Sequence, residues 1–137
     1  MHALGDPKTM QEAPAYDDVL LDVVAFLEAR VEAAEAGGIP RERLLVDPGI
    51  GFGKTVAHNV ALVRGLATLH GLGCAVLFGA SRKRFIGTIG GAAEPAARVP
   101  GSIAVALEAL RRGAQVIRVH DVAETRQAIA LWKEIAC

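Results

Sequence analysis

The chain has 137 residues, of which 52% are hydrophobic, enough for one domain with a core of its own. Fifteen basic side chains cancel fifteen acidic ones and aromatics are sparse, which excludes a basic field or a base-stacking platform for nucleic acid. No apolar run approaches the ~20 residues of a membrane span, residues 1–7 lack the apolar stretch of a signal peptide, and Cys74 and Cys137 are too few and too separated for a disulfide framework or zinc site, so a soluble, cytoplasmic protein is expected.

Apolar positions at Val19, Leu20, Val23, Val24, Phe26, Leu27 and Val31 recur near helical spacing and predict a helix over 17–36, stopped by Gly37-Gly38. Residues 43–47 read as a short buried strand. A helix from about Thr55 to His70 follows, with Val56, Val60, Leu62, Val63, Leu66 and Leu69 on its buried face and Gly71 and Gly73 closing it. The second strand spans roughly 74–79. A long Gly- and Ala-rich connection then runs from Arg84 to Pro100, with a short helical turn at Arg84-Phe85-Ile86. A helix from about Gly101 to Arg112 ends at Gly113, a strand occupies 115–119, and a last helix runs from about Val122 to Ala136. This order, a helix and then strand–helix three times, predicts an α/β fold whose parallel strands are buried on both faces, with right-handed crossovers placing the helices on one side. Three strands fall short of a closed (β/α)8 barrel, which takes roughly 250 residues, and an open sheet has two edges. The chain is either a small open sheet or part of something larger.

Each strand ends in groups suited to anions or heterocycles, and parallel strands bring such ends to one rim. After the first comes Asp47-Pro48-Gly49, where the carboxylate either caps a turn or faces a cleft, accepting two parallel hydrogen bonds from an amidine-like edge such as that of a pterin or guanine. The segment Gly49-Ile50-Gly51-Phe52-Gly53-Lys54-Thr55 imitates a phosphate-binding loop, but Pro48 stands where that motif needs its first Gly, so the loop is rejected. Phe52 is left to pack on a flat ligand. After the second strand, Gly79-Ala80-Ser81-Arg82-Lys83-Arg84 supplies cations, Lys83 among them. After the third, Arg118 and His120 alternate with Val119 and so share a strand face, where a phosphate or pyrophosphate would satisfy both. Asp121 either caps the last helix or pairs with a neighbouring cation. His58 and His70 read as surface or capping residues, and nothing has metal-ligand spacing.

Five ordered motifs resemble the C-terminal half of the dihydropteroate synthase family. They are Met1-His2-x-x-Gly5-x-Pro7-x-Thr9-Met10-Gln11, DPGIGFGK at 47–54 with His58-Asn59, GASRK at 79–83, Arg98-x-x-Gly101-Ser102, and Gly113-Ala114-x-x-x-Arg118-Val119-His120-Asp121-Val122. The resemblance covers nearly the whole chain. It implies the C-terminal portion of a (β/α)8 TIM barrel, with residues 1–137 as a partial pterin-binding domain lacking the N-terminal strands. The implied activity is a transferase reaction of folate biosynthesis, which joins 4-aminobenzoate to 6-hydroxymethyl-7,8-dihydropterin diphosphate and releases pyrophosphate. By the same resemblance Asp47, Lys83, Gly79 and Met1 hold the pterin, Phe52 and Arg82 border the 4-aminobenzoate, and Arg118 and His120 bind the diphosphate. Arg118, His120 and Lys83 are then the catalytic groups. Mg2+ is implied as cofactor with its protein ligand outside this chain, and a homodimer through the C-terminal helices is implied as well. The family's first four strands and two mobile loops are missing, and Met1 coincides with an internal Met of the family motif. The expectation is an incomplete chain, weakly active or inactive alone. Two alternatives stand beside it: a non-catalytic half-barrel that keeps a pterin- or phosphate-binding surface, and a methyl-tetrahydrofolate-dependent methyltransferase relative. The latter shares the role of Asp47 but has no diphosphate for Arg118 and His120.

Overall fold

Asp18 opens the first helix, its carboxylate accepting the amides of Leu20 and Leu21 at 2.9 and 3.1 Å. Those are two of the donors that a helix start leaves unpaired. The helix, α1 (Val19–Ala36), buries Val19, Val23, Leu27 and Val31 at the four-residue spacing of one face. The computed structural model describes residues 1–3, 5 and 14–136; Pro7, Thr9, Met10 and Gln11 of the first motif, and Cys137, lie outside them.

The helix predicted over 55–70 is divided. α2 (Val56–Arg64) starts with a reciprocal cap between Thr55 and His58, which gives His58 the capping role expected of it. It stops at Gly65, where a Cβ would strike the side chain of Leu20 on α1. The chain continues as a 3-10 segment, Leu66–Leu72, that still buries Leu66, Leu69 and Leu72. The short turn expected at Arg84–Ile86 is the start of a two-turn helix, α3 (Arg84–Gly90). α4 (Val99–Arg111) begins before Gly101, because Pro100 falls in the first turn, where a missing N–H costs nothing. α5 (Val122–Ala136) closes the described chain.

Strands β1 (Leu45–Val46), β2 (Ala75–Phe78) and β3 (Val116–Ile117) form one parallel sheet in the order β1-β2-β3. Neighbours in space are neighbours in sequence. That is the order of a barrel arc; a doubly wound sheet reverses at a switch point. The register pairs Leu45 with Ala75, Val46 with Val76, Leu77 with Val116 and Phe78 with Ile117.

The expectation that the strands are buried on both faces needs correction. Val46, Val76, Phe78 and Ile117 share the face under the helices, and the first three are buried, with Ile117 packed against them. Leu45, Ala75, Leu77 and Val116 share the other face, where Leu45 is 52% and Val116 38% exposed. This second face is the one that points inward when a sheet of this kind closes into a barrel. The layer beneath the helices, built on Val23, Leu27, Leu62, Leu66, Leu69, Val76 and Phe78, is the core. The loops that leave the C-terminal ends of the strands all emerge at one rim.

Candidate active site

Asp47 leaves β1 almost buried, at 8% exposure, and its carboxylate closes the turn that follows. Oδ1 accepts the Gly49 amide at 2.7 Å, closing the turn, while Oδ2 stands 3.6 Å from Nη2 of Arg118 across the rim. The turn is pressed from outside by His2, whose amide donates to the Asp47 carbonyl at 3.0 Å. Gly49 has φ +68°, and a Cβ there would overlap the carbonyl oxygen of His2. Only glycine fits.

Lys83 follows β2. Its stem lies along Gly51, and its amine sits 4.0 Å over the ring of Phe52, a cation–π contact that also orients the half-buried aromatic. Burial, reinforced by the Arg118 charge, pushes the Lys83 amine below the usual lysine range against the pull of Asp47. At Gly79 the demand is close approach: a Cβ would come within 2.8 Å of Nη2 of Arg118, which lies across the glycine.

β3 ends at Ile117, so Arg118 and His120 are not the alternating strand residues that the sequence suggested. Backbone and side-chain bonds place them instead. The Arg118 amide donates to the Phe78 carbonyl at 2.9 Å, the His120 amide donates to Ser81 Oγ at 3.2 Å, and His120 Nδ1 lies 3.0 Å from that same hydroxyl. Arg118 and His120 line one cavity of about 250 Å³ with Gly79, Ser81, Lys83 and Val119. Val119 therefore shares the cavity and does not face away from it.

The other expected residues sit differently. The Arg82 guanidinium is bound to the Asp121 carboxylate at 2.5 and 3.0 Å and is not among the residues lining that cavity. The carboxylate of Asp121 thus pairs with a neighbouring cation, while its carbonyl accepts the Thr125 amide at 3.1 Å at the start of α5. Met1 is 55% exposed at the outer end of the His2 contact and is likewise absent from the cavity wall. His70 lies 3.2 Å from the Arg112 carbonyl, a structural role, and Cys74 is simply buried.

Two buried groups behind the rim escaped the sequence reading. Lys54 turns inward, its amine 3.0 Å from the Phe52 carbonyl and 2.9 Å from Nδ1 of His2. Burial draws the lysine down to about 8, and burial together with the lysine charge draws His2 down to about 4. This inward course agrees with rejecting a phosphate loop here. Asn59 also braces the segment, accepting the Gly51 amide at 2.7 Å. The spacing of a Lys after Gly51-Phe52-Gly53 was visible, but its direction depends on a partner more than fifty residues away. Among the described residues no three His, Cys, Asp or Glu side chains are grouped to hold a metal ion.

A carboxylate, an ammonium, a guanidinium and an imidazole thus converge at the C-terminal rim of three parallel strands. The profile of a family described as "Pterin binding enzyme" matches residues 1–120. The chain belongs to the pterin binding enzyme family. Within this family, the dihydropteroate synthase of Escherichia coli K12 is 46% identical over 129 residues, which are 94% of this chain and 45% of that protein. The dihydropteroate synthase of Stenotrophomonas maltophilia, solved with imidazole in its active site, superposes with a TM-score of 0.96 at 44% identity, covering 99% of this chain and 51% of that one. The Xanthomonas albilineans enzyme in complex with 7,8-dihydropteroate gives 0.89 at 50% identity, over 90% of this chain and 49% of that one. The chain spans about half the length of the relatives it matches. The chain corresponds to about half of such a (β/α)8 barrel, which accounts for the sheet face left open at Leu45 and Val116.

Proposed function

We propose that this chain carries the C-terminal half of a dihydropteroate synthase site, at which 4-aminobenzoate displaces pyrophosphate from 6-hydroxymethyl-7,8-dihydropterin diphosphate. The observation that carries the proposal is the shared rim: Arg118 stands beside Asp47 and lines the same cavity as Lys83 and His120. In this reading Asp47 accepts from the amino group and ring N–H of the pterin, with Lys83 donating to a ring acceptor. Gly79 gives the ligand room beside Arg118, Met1 edges the pterin, and Phe52 borders the aminobenzoate, the place that the resemblance also gives Arg82.

The chemistry is leaving-group departure. As the C–O bond breaks, negative charge grows on pyrophosphate and positive charge on the pterin methylene carbon. Arg118 and His120 stabilise the first through prepositioned donors, and the electron-rich pterin held by Asp47 and Lys83 spreads the second. The arylamine nitrogen then attacks the methylene carbon and loses its proton. Lys83 suits this role because its partly desolvated amine, held over the Phe52 ring, donates strongly to a ring acceptor.

Mg2+ belongs to the proposal only through the resemblance. That resemblance places its protein ligand outside this chain, and no step above runs through the ion. The homodimer is proposed on α5, where Leu131 and Ile135 are 64% and 74% exposed and a second copy would cover them. The proposed setting is the cytoplasm, where a free thiol such as Cys74 stays reduced.

The half-length span favours a division of labour, with ligand binding retained in this chain and turnover requiring the remaining strands. Titrating a pterin while following pyrophosphate release tests both parts. Saturable binding with little or no turnover is expected. Absence of pterin binding would overturn the proposal, and full turnover would overturn the division.

A further inference from the structure

The loops that carry Lys83 and His120 are joined by an ion pair that lies outside their cavity. Nε of Arg82 donates to Oδ2 of Asp121 at 3.0 Å and Nη2 donates to Oδ1 at 2.5 Å, a two-pronged fork. The side chains are 32% and 12% exposed, so solvent screens the pair less than it would a surface one. The backbone of Arg82 is fastened as well. Its amide donates to Ser102 Oγ at 2.9 Å, its carbonyl accepts from Arg98 Nη1 at 3.0 Å, and Ser102 Oγ donates to the Arg98 carbonyl at 2.8 Å.

Arg82 is also the one non-glycine residue with positive φ among those described, at +58°. That conformation is unfavourable for an L-residue. A mildly strained residue, held from three sides, therefore separates Ser81 from Lys83. Its partner Asp121 directly follows His120, which Ser81 already meets through both amide and ring. Sequence neighbours of the fork thus stand on both sides of the cavity.

We infer that Arg82 and Asp121 are positioning residues, whose ion pair fastens the loop after β2 to the loop after β3 and sets the separation of Lys83 from His120. Neither side chain touches the ligand. The inference rests on the diphosphate reading of the cavity and replaces the aminobenzoate contact that the resemblance gives Arg82.

The sign of one substitution separates positioning from plain charge. Asp121 is an anion beside a site for a more highly charged anion. Acting through its charge alone, it would repel the ligand, and Asp121→Asn would tighten binding of inorganic pyrophosphate. Acting as a clasp, it holds His120, and Asp121→Asn weakens binding by about tenfold in calorimetry. Arg82→Gly should weaken binding similarly, and the double variant should bind no worse than either single one, because both remove the same interaction. Glycine relieves the positive φ, so the urea midpoint of Arg82→Gly should stay near that of the parent chain.

Tighter or unchanged pyrophosphate binding by Asp121→Asn would overturn the inference, as would additive losses in the double variant. A second readout needs no ligand: the imidazole nitrogen resonances of His120 should move in both single variants as its contact with Ser81 loosens. If they stay fixed, the clasp is refuted. If the parent chain does not bind pyrophosphate, the diphosphate reading fails instead, and the His120 resonances still decide whether the pair positions that residue.

Discussion

Replacing Asp47 by Asn and by Ala separates the two jobs of its carboxylate. Oδ1 accepts the Gly49 amide at 2.7 Å in a site only 8% exposed. A hydrogen bond to a charged acceptor contributes about 1.5–3 kcal/mol. Oδ2 faces an Arg118 side chain that is 57% exposed, so after screening that pair adds well under about 1 kcal/mol. Asn keeps a carbonyl oxygen for the Gly49 amide and Ala keeps nothing. Asp47→Ala should therefore cost about 2–3 kcal/mol in urea unfolding, and Asp47→Asn about 1 kcal/mol or less. Pterin binding depends on the whole carboxylate, because Asn turns an N–H donor toward donors of the ligand. Both variants should bind a pterin about 100-fold more weakly in a fluorescence titration, the loss expected for two charge-assisted hydrogen bonds. An Asn variant that binds pterin like the parent, or an Ala variant as stable as the Asn variant, would refute the reasoning.

Gly79→Ala puts a methyl group against the Arg118 guanidinium, a flexible group able to move; pyrophosphate affinity should drop about tenfold in calorimetry while the urea midpoint shifts little. His2 is held at about 4, below its ordinary 6.5, by burial and by Lys54. Between those values the unfolded chain binds more protons than the fold, so the His2 contribution is complete above the upper value and is lost as pH falls toward the lower one. Urea unfolding at about pH 4.5 should show a loss of up to about 3 kcal/mol relative to neutrality, and His2→Gln should flatten that dependence. Leu131→Lys on the exposed face of α5 should shift sedimentation toward monomer; an unchanged profile would remove that face from the proposed dimer.

The element order and the shared rim were legible because apolar runs, glycine stops and strand-end chemistry are local signals. What failed depended on distant partners. The helical pattern divides at Gly65, where Leu20 of α1 stands in the place a Cβ would take, a contact with no trace in the local spacing. β3 is only two residues long, so alternation was the wrong argument for Arg118 and His120. Their convergence comes from the Phe78 carbonyl and the Ser81 hydroxyl on the neighbouring loop. The open strand face was hidden by composition, since residues destined for a barrel interior are as apolar as those under helices. Lys54 and Arg82 show the same limit in charged form: both were visible as cations, and their directions are set by His2 and Asp121.

Calorimetric titration of this chain with 6-hydroxymethyl-7,8-dihydropterin diphosphate reads the common hollow most directly. One saturable site is predicted, displaced separately by a bare pterin and by inorganic pyrophosphate, since one ligand spans the Asp47–Lys83 side and the Arg118–His120 side. No saturation, or displacement by only one of the two competitors, would contradict a single site built from these four residues.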